Sequence, residues 1–107
     1  MPDACVFCDV IEGKLPRTLV FEDADIIVIK DIYPKAPIHL LVIPKKHISD
    51  FMALQPPEID TMMQVVARVI SKNNITHYRI VNNGGGAQLI DHVHIHIMGS
   101  FDRRRNL

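Results

Sequence analysis

Three histidines alternate with aliphatic residues near the end of this 107-residue chain, where positions 92–97 read His-Val-His-Ile-His-Ile. On an extended strand successive side chains point to opposite faces, so the imidazoles would share one face and the aliphatic side chains the other. Same-face neighbours lie roughly 6.8 Å apart, and the outer two imidazoles would therefore flank the middle one. Such a row can receive a tetrahedral anion.

Two other interpretations of this segment stay open. A solvent-facing strand can carry polar residues without any chemistry, although Thr, Lys or Glu would more commonly fill such positions. Paired histidines on one face are also good zinc ligands. The pattern alone does not separate an anion site from a metal site.

The composition of the chain limits the number of domains and the kinds of binding partner that we expect. The 12 basic residues balance the 12 acidic ones, so no global basic field recruits nucleic acid, and an anionic substrate would have to be held locally. With 48% hydrophobic residues, the chain is long enough for one domain over residues 1–107 and too short for two. The basic run 103–105 is interpreted as a solvated tail.

No membrane or export signal is visible in the sequence. The first residues lack a basic segment followed by an apolar core, and no apolar run approaches the roughly 20 residues that span a bilayer. We therefore expect a cytoplasmic protein with no membrane partner. In that compartment Cys5 and Cys8 are not expected to form a structural disulfide, and free, metal-bound and redox-active states remain open.

Two helices are predicted. Asp3 can cap a helix over about 5–12, which Gly13 ends, and the apolar stripe of this helix is Val6, Phe7, Val10 and Ile11. Prolines in a first turn and acidic residues behind them predict a second helix over about 56–72. Its apolar face is Ile59, Met62, Met63, Val66, Val69 and Ile70, with the methionines as core residues.

Five strands are predicted between and after these helices. They cover 18–22, 26–30, 39–43, 76–81 and the triple-histidine segment, with a hairpin turn at 23–25 and a proline-rich loop at 31–37. Runs of strands with two segregated helices predict an α+β domain with an antiparallel five-stranded sheet.

A glycine-rich loop precedes the histidines, since positions 82–88 read Asn-Asn-Gly-Gly-Gly-Ala-Gln. Consecutive glycines permit positive φ and let backbone N–H groups approach a ligand oxygen closely. The loop lacks the Lys-Ser/Thr of a phosphate-binding P-loop, and a plain hairpin connection is an alternative. Placed just before the histidines, its donors and the imidazoles would converge on one anion.

A second histidine pair, His39 and His47, brackets an apolar strand and the lysines Lys45 and Lys46. His39 is either part of the site or a partly buried histidine bonded to backbone. The lysines either attract phosphate or make a turn soluble, and we favour the turn.

The chain resembles the histidine triad family, most closely its Hint branch of nucleotide-binding phosphoramidases, over about residues 5–99. The resemblance is carried, in order, by Cys-Val-Phe-Cys at 5–8, Glu-Gly-Lys-Leu-Pro at 12–16, Phe-Glu-Asp at 21–23, Asp-Ile at 31–32, Ala-Pro-Ile-His-Leu-Leu-Val-Ile-Pro-Lys-Lys-His-Ile at 36–48, and the histidines followed by Gly99.

The resemblance implies a homodimer that hydrolyses purine nucleoside phosphoramidates. His94 would attack the α-phosphorus and form a nucleotidyl-histidine that water hydrolyses, with no cofactor required for catalysis. A neutral imidazole is a good nucleophile near pH 7, and neighbouring histidines disfavour one another's protonation. His96 and His39 would orient and stabilise the phosphate.

The resemblance also implies a nucleotide-binding set. Asn82, Gly86 and Gln88 would stand beside the phosphoryl oxygens, and Asp31 would accept the ribose hydroxyls. The apolar residues of the purine slot would be Ile32, Val6, Phe7, Val10 and Ile29. Without the resemblance, Asp31 would be interpreted as a residue that starts a turn.

Cys5, Cys8, His47 and His92 match the zinc ligands of many bacterial relatives. Two thiolates and two imidazoles complete a tetrahedral shell, and closed shells are structural. Packing cysteines and a redox pair are the alternatives.

Three departures from the family pattern bear on function. Leu89 replaces a serine that would help protonate the leaving amine, the glycine loop is one residue shorter, and the tail lacks a tryptophan found in some relatives. A non-catalytic nucleotide-binding regulatory protein is therefore the alternative function. A metal-binding module that uses all the histidines is a third.

Overall fold

The computed structural model describes residues 5–100. Its fold is an antiparallel sheet that is covered by one helix on each face. Its elements in chain order are α1 (Val6–Ile11), β1 (Leu19–Glu22), β2 (Ile26–Lys30), β3 (Ile38–Pro44), a 3-10 turn (Phe51–Ala53), α2 (Pro56–Lys72), β4 (Arg79–Val81) and β5 (Ile95–Gly99). Asp3 and the basic run 103–105 lie outside the described residues.

The strand order β1-β2-β3-β5-β4 confirms the predicted fold class. Each neighbouring pair is antiparallel, and β3 lies at the centre between β2 and β5. In the β3–β5 register Leu41 pairs with His96 and His39 pairs with Met98. His39 and His96 therefore lie diagonally on one face of the sheet.

The sheet is buried on both faces because its central strands alternate between two apolar clusters. Val28, Val42 and Ile97 pack with α2 on one face. Ile27 and Leu41 pack with α1 on the other. We call the second face the α1 face, and it is the face that carries His39 and His96.

The helices differ in detail from the sequence prediction. The bounds of α2 are as predicted, and Gly13 ends α1 with φ of +80°. Cys5 is the N-cap of α1, through a bond from the Cys8 N–H to its sulfur. The apolar stripes were partly wrong, because Val6 and Met63 are 49% and 39% exposed while Val65, not predicted, is buried. No helix within residues 5–100 is long and apolar enough to cross a bilayer.

Three strand predictions were too long, the first of them by the single residue at position 18. β4 begins at Arg79 and not at position 76, because His77 has φ of +50°, which extended pairing does not allow. β5 begins at Ile95, so His92 and His94 precede the hydrogen-bonded ladder. Only His96 of the three histidines is a residue of the strand.

Candidate active site

The triple-histidine segment keeps the predicted alternation although its first half is not in the strand. Val93, Ile95 and Ile97 all belong to the apolar cluster against α2. The ring centroids of His94 and His96 are 5.0 Å apart, so these two side chains are neighbours. The structure thus separates the segment into a core face and a histidine face.

His94 is fixed in one tautomer by a backbone carbonyl. Its Nδ1 lies 2.8 Å from the carbonyl oxygen of His92, and because a carbonyl only accepts, Nδ1 must carry the proton and donate. In the neutral ring the lone pair then belongs to Nε2. The edge-on ring of Phe7, 4.9 Å away between centroids, restricts the orientation of the imidazole.

His39 and His96 form a short proton chain. The Lys35 N–H donates to His39 Nδ1 at 2.9 Å, so His39 carries its ring proton on Nε2. That nitrogen lies 2.8 Å from His96 Nδ1, which must accept. The neutral His96 ring is therefore protonated at Nε2, which makes this atom a hydrogen-bond donor for a ligand oxygen.

Burial keeps both of these rings neutral at pH 7. It lowers the pKa of His39 against a smaller opposing effect of Asp31. It lowers the pKa of His96 to about 4, helped by the neighbouring rings of His94 and His39. Two uncharged rings with defined tautomers are what the chain of donors requires.

Asp31 lies beside the imidazole pair. Its Oδ1 accepts the Tyr33 N–H at 2.8 Å, and its Oδ2 is 3.3 Å from His39 Nε2. The residue thus starts the turn and also faces the site, which combines the two interpretations made from sequence.

The residues predicted to form a purine slot differ in the exposed fraction of their surface. Ile32 and Val6 are 76% and 49% exposed. Phe7, Val10 and Ile29 are each at most 6% exposed and pack in the cluster between α1 and the sheet. Only the first two offer substantial surface to a ligand.

The glycine loop makes bonds that the sequence did not predict. The Gly86 N–H donates to Gln88 Oε1 at 2.9 Å, and the Gly85 N–H donates to Asp50 Oδ1 at 3.0 Å. Asn82 donates from Nδ2 to the carbonyl oxygen of His94 at 2.9 Å, which ties the loop to the backbone of the triad. Gly86 and Gln88 are bonded to each other and Asn82 is bonded to the His94 carbonyl, so these predicted phosphate-side residues are engaged with groups of the chain.

Sequence reasoning missed Asp50 and the backbone groups of Lys35 and Pro44. The N–H and carbonyl groups of Lys35 and Pro44 leave no signal in residue type. Asp50 has one weak signal, a short acidic side chain three residues after His47 in a region without a predicted element.

Cys5, Cys8, His47 and His92 form a compact cluster whose ligand atoms lie within 4.8 Å of one another. His92 Nδ1 is 3.4 Å from the sulfur of Cys5 and 3.5 Å from that of Cys8, and His47 Nδ1 is 3.3 Å from the sulfur of Cys8. His92 Nε2 donates to the Pro44 carbonyl at 2.7 Å, which leaves the Nδ1 lone pair facing the sulfurs. A carbonyl holding the outer N–H is the usual support of a metal-bound histidine, and the donor set fits zinc.

Without a metal the Cys8 thiol resists ionisation. Burial, followed by the hydrogen bond and charge of Cys5, raises the pKa of Cys8 to about 11. A metal must therefore displace a thiol proton, so its affinity rises with pH.

Asp31, His39 and His96 also bring ligand atoms within 4.8 Å of one another. The chemistry here differs, because the His39 Nδ1 lone pair is already used by the Lys35 N–H and its Nε2 carries a proton. A metal at Nε2 would require an imidazolate or the loss of that bond. The geometry favours a metal at the cysteine cluster over a module that uses every histidine as a ligand.

Several known proteins are similar to this chain over most of its length. A family model described as "Scavenger mRNA decapping enzyme C-term binding" matches residues 4–106. The chain is 38% identical to Protein HitA of Neisseria gonorrhoeae over 104 residues, which are 92% of this chain and 97% of that protein.

Two further relatives have more descriptive names. Adenosine 5'-monophosphoramidase HINT3 of Mus musculus is 36% identical over 102 residues, covering 88% of this chain and 62% of that protein. The 14 kDa zinc-binding protein of Zea mays is 32% identical over 102 residues, covering 88% of this chain and 80% of that protein.

Solved structures share the fold over the whole chain. A histidine triad protein from Clostridium difficile is 30% identical with a TM-score of 0.86, and each chain is fully covered. A HIT family hydrolase from Clostridium thermocellum is 33% identical with a TM-score of 0.88, covering 100% of this chain and 99% of that one.

The lowered pKa of His96 predicts a loss of stability in acid. The unfolded ring takes up a proton near its ordinary pKa of 6.5 and the folded ring near 4, so its contribution is complete above 6.5 and is lost as the pH falls towards 4. Between pH 6.5 and 5 the free energy of unfolding should fall by about 1 kcal/mol less in His96→Asn than in the wild type. This value already allows for the partial exposure of the His96 ring to solvent.

Urea unfolding at a series of pH values measures this difference. The matched control is His77→Asn, on an exposed residue outside the site, which should follow the wild-type curve. Parallel curves for wild type and His96→Asn would contradict the prediction.

Proposed function

The chain belongs to the histidine triad family, and from this premise we propose that it is a purine nucleoside phosphoramidase, a hydrolase that cleaves the P–N bond of nucleotide conjugates through His94. The observation that carries the proposal is the bond from His94 Nδ1 to the His92 carbonyl, because it directs the lone pair to Nε2. A hydrolase of nucleotides also agrees with the names of the relatives.

In the first step His94 Nε2 attacks the α-phosphorus, and a P–Nε2 bond forms as the P–N bond to the leaving amine breaks. The amine nitrogen keeps the electron pair of the broken bond and takes a proton from solvent, since Leu89 offers no hydroxyl donor. The ring becomes a cation, and the bond from Nδ1–H to the His92 carbonyl strengthens as it does so. Two displacements thereby replace one poorly activated attack by water.

In the second step water attacks the nucleotidyl-histidine, the P–Nε2 bond breaks, and its electron pair returns to the ring. The proton of the water passes to solvent and a nucleoside 5'-monophosphate leaves. The His96 Nε2–H is the donor we assign to a phosphoryl oxygen in both steps, and His39 holds His96 in the required tautomer.

The nucleoside is held beside this pair. Asp31 has carboxylate lone pairs for the ribose hydroxyls, and the exposed Ile32 and Val6 offer apolar surface to a purine. The family resemblance assigns Asn82, Gly86 and Gln88 to the phosphate side of the site, where a phosphate would compete with the bond between Gly86 and Gln88. We also propose a cytoplasmic homodimer of single-domain subunits, and the dimer rests on the family resemblance alone.

We propose that Cys5, Cys8, His47 and His92 hold a structural zinc ion. The ion would supply a cross-link that ties α1 to the loop after β3 and to the start of the triad. His92 would serve both sites, since its ring faces the cysteines while its carbonyl accepts the proton of His94.

A nucleotide-binding protein without turnover is the second candidate function. Leu89 favours it, because its side chain is fully exposed and supplies no proton donor for a leaving amine. A turnover assay with an aminoalkyl or lysyl nucleoside phosphoramidate separates the two functions.

Zinc analysis tests the division between the two clusters. Cys5→Ser removes one ligand of the tetrahedral set, so we expect the purified variant to lose its zinc, whereas His94→Ala should keep one zinc per chain. Elemental analysis measures both. Loss of zinc in both variants would instead support the module that uses all the histidines.

His94→Ala tests the nucleophile. We expect turnover to fall to the background of the assay, while the dissociation constant of adenosine 5'-monophosphate changes by less than about threefold, because the ring acts mainly in the transition state. In rapid-quench mass spectrometry the wild type should carry one nucleotidyl group on the peptide that contains His94.

The control for this experiment is His77→Asn, which should retain wild-type turnover. Equal activity of the His94 variant, or a nucleotidyl group on another residue, would remove the assignment.

A further inference from the structure

The side chain of Asp50 bonds to the distant glycine loop and not to the 3-10 turn that it precedes. Asp50 is the N-cap residue of the 3-10 turn Phe51–Ala53, yet its side chain makes no capping bond there. Its Oδ1 instead accepts the Gly85 N–H at 3.0 Å, across 35 residues of chain, and lies 3.5 Å from Gln88 Nε2. An aspartate at an N-cap ordinarily bonds the N–H groups of its own helix, so this contact replaces a local one.

The glycine loop is shaped to receive this carboxylate. A Cβ added to Gly84 would lie 2.7 Å from Asp50 Oδ1, so a side chain at this position would displace the carboxylate from its present place. Gly85 and Gly86 have φ of +65° and +102°, which side chains rarely adopt. Gln88 extends the connection, because its Oε1 accepts the Gly86 N–H while its Nε2 points towards Asp50.

The same loop lies next to the triad. Asn82 at its start holds the His94 carbonyl, so the backbone that Asp50 fixes is continuous with the backbone that carries the nucleophile. A loop of three glycines has high conformational entropy, and holding it in one shape requires bonds from outside it. Within the described chain Asp50 makes the longest-range of these bonds.

We infer that Asp50 is a positioning residue that holds the glycine loop in shape for the substrate phosphate, while its negative charge weakens the binding of that phosphate. This inference rests on the proposed function, because the anion is the α-phosphate of the nucleotide. The oxygen of the side chain and its charge have opposite effects, so two substitutions separate them.

Asp50→Asn keeps an oxygen for the Gly85 N–H and removes the charge. We expect it to bind adenosine 5'-monophosphate about threefold to tenfold more tightly at low salt, and the gain should shrink as sodium chloride screens the charge. Asp50→Ala removes the oxygen as well, and the freed loop should raise KM for the phosphoramidate about tenfold, as expected for one lost charge-assisted bond.

The measurements are isothermal titration with adenosine 5'-monophosphate, steady-state kinetics, and NMR amide exchange of Gly85 and Gly86 in the free protein. Exchange at Gly85 should accelerate in Asp50→Ala and stay near the wild-type rate in Asp50→Asn. Asp60→Asn is the matched charge control, since its exposed carboxylate bonds Gln64 on the same helix, and it should change none of these values.

Unchanged exchange at Gly85 in Asp50→Ala overturns the positioning role, and equal or weaker nucleotide binding by Asp50→Asn overturns the role of the charge. The proposed function fails separately, if the wild type does not turn over the phosphoramidate. The exchange and titration results still decide the inference in that case, because neither needs catalysis. If no variant binds the nucleotide, the inference is overturned.

Discussion

The chemistry of this molecule depends on one hydrogen bond, from His94 Nδ1 to the carbonyl oxygen of His92 at 2.8 Å. A histidine has two ring nitrogens, and this bond determines which of them keeps the lone pair. The His92 carbonyl is held in place in turn, because the ring of the same residue is fully buried and its Nε2–H donates to the carbonyl oxygen of Pro44, at the end of β3. The orientation of His94, which we propose as the nucleophile, is therefore set by backbone groups of the sheet and the residues next to it.

The two faces of the sheet differ in what they carry. The face against α2 carries the larger apolar cluster and stabilises the fold. The α1 face carries a smaller apolar cluster and also His39 and His96, and the sulfurs of Cys5 and Cys8 lie near the ring of His92. In the triad, alternation places the aliphatic side chains against α2 and leaves the histidines for the site, whereas β3 packs on both faces and only His39 of that strand faces His96. A change in register by one residue would bury the wrong set.

Helices and strands whose sequence signals are local were predictable. The bounds of α2 followed from its prolines, its first acidic residues and its apolar spacing, and those of β2 from a run of β-branched residues between turn residues. β4 was overextended because nothing in the residue type of His77 announces a positive φ. The first two histidines of the triad looked like strand residues because histidines and aliphatic residues alternate from position 92 onward, although the hydrogen-bonded ladder begins only at Ile95.

The residues that the structure brings together at the candidate site were predictable from the sequence, but their hydrogen bonds were not. Residue types and the family resemblance indicated the histidines, Asp31 and the cysteines. The tautomers could not be predicted, because they depend on the Lys35 N–H and on the carbonyls of His92 and Pro44, which every residue possesses. Asp50 was missed since its partner lies 35 residues away and only the folded chain brings them together.

The most direct test is the protonation of the His94 ring in the free protein, measured by long-range proton–nitrogen NMR correlation of its two ring nitrogens near pH 7.5. We expect the proton of the neutral ring on Nδ1, with a nitrogen shift of Nε2 that is typical of an unprotonated nitrogen. A neutral ring with its proton on Nε2 would refute the proposed role of His94, because the atom assigned to attack phosphorus would then have no lone pair to offer.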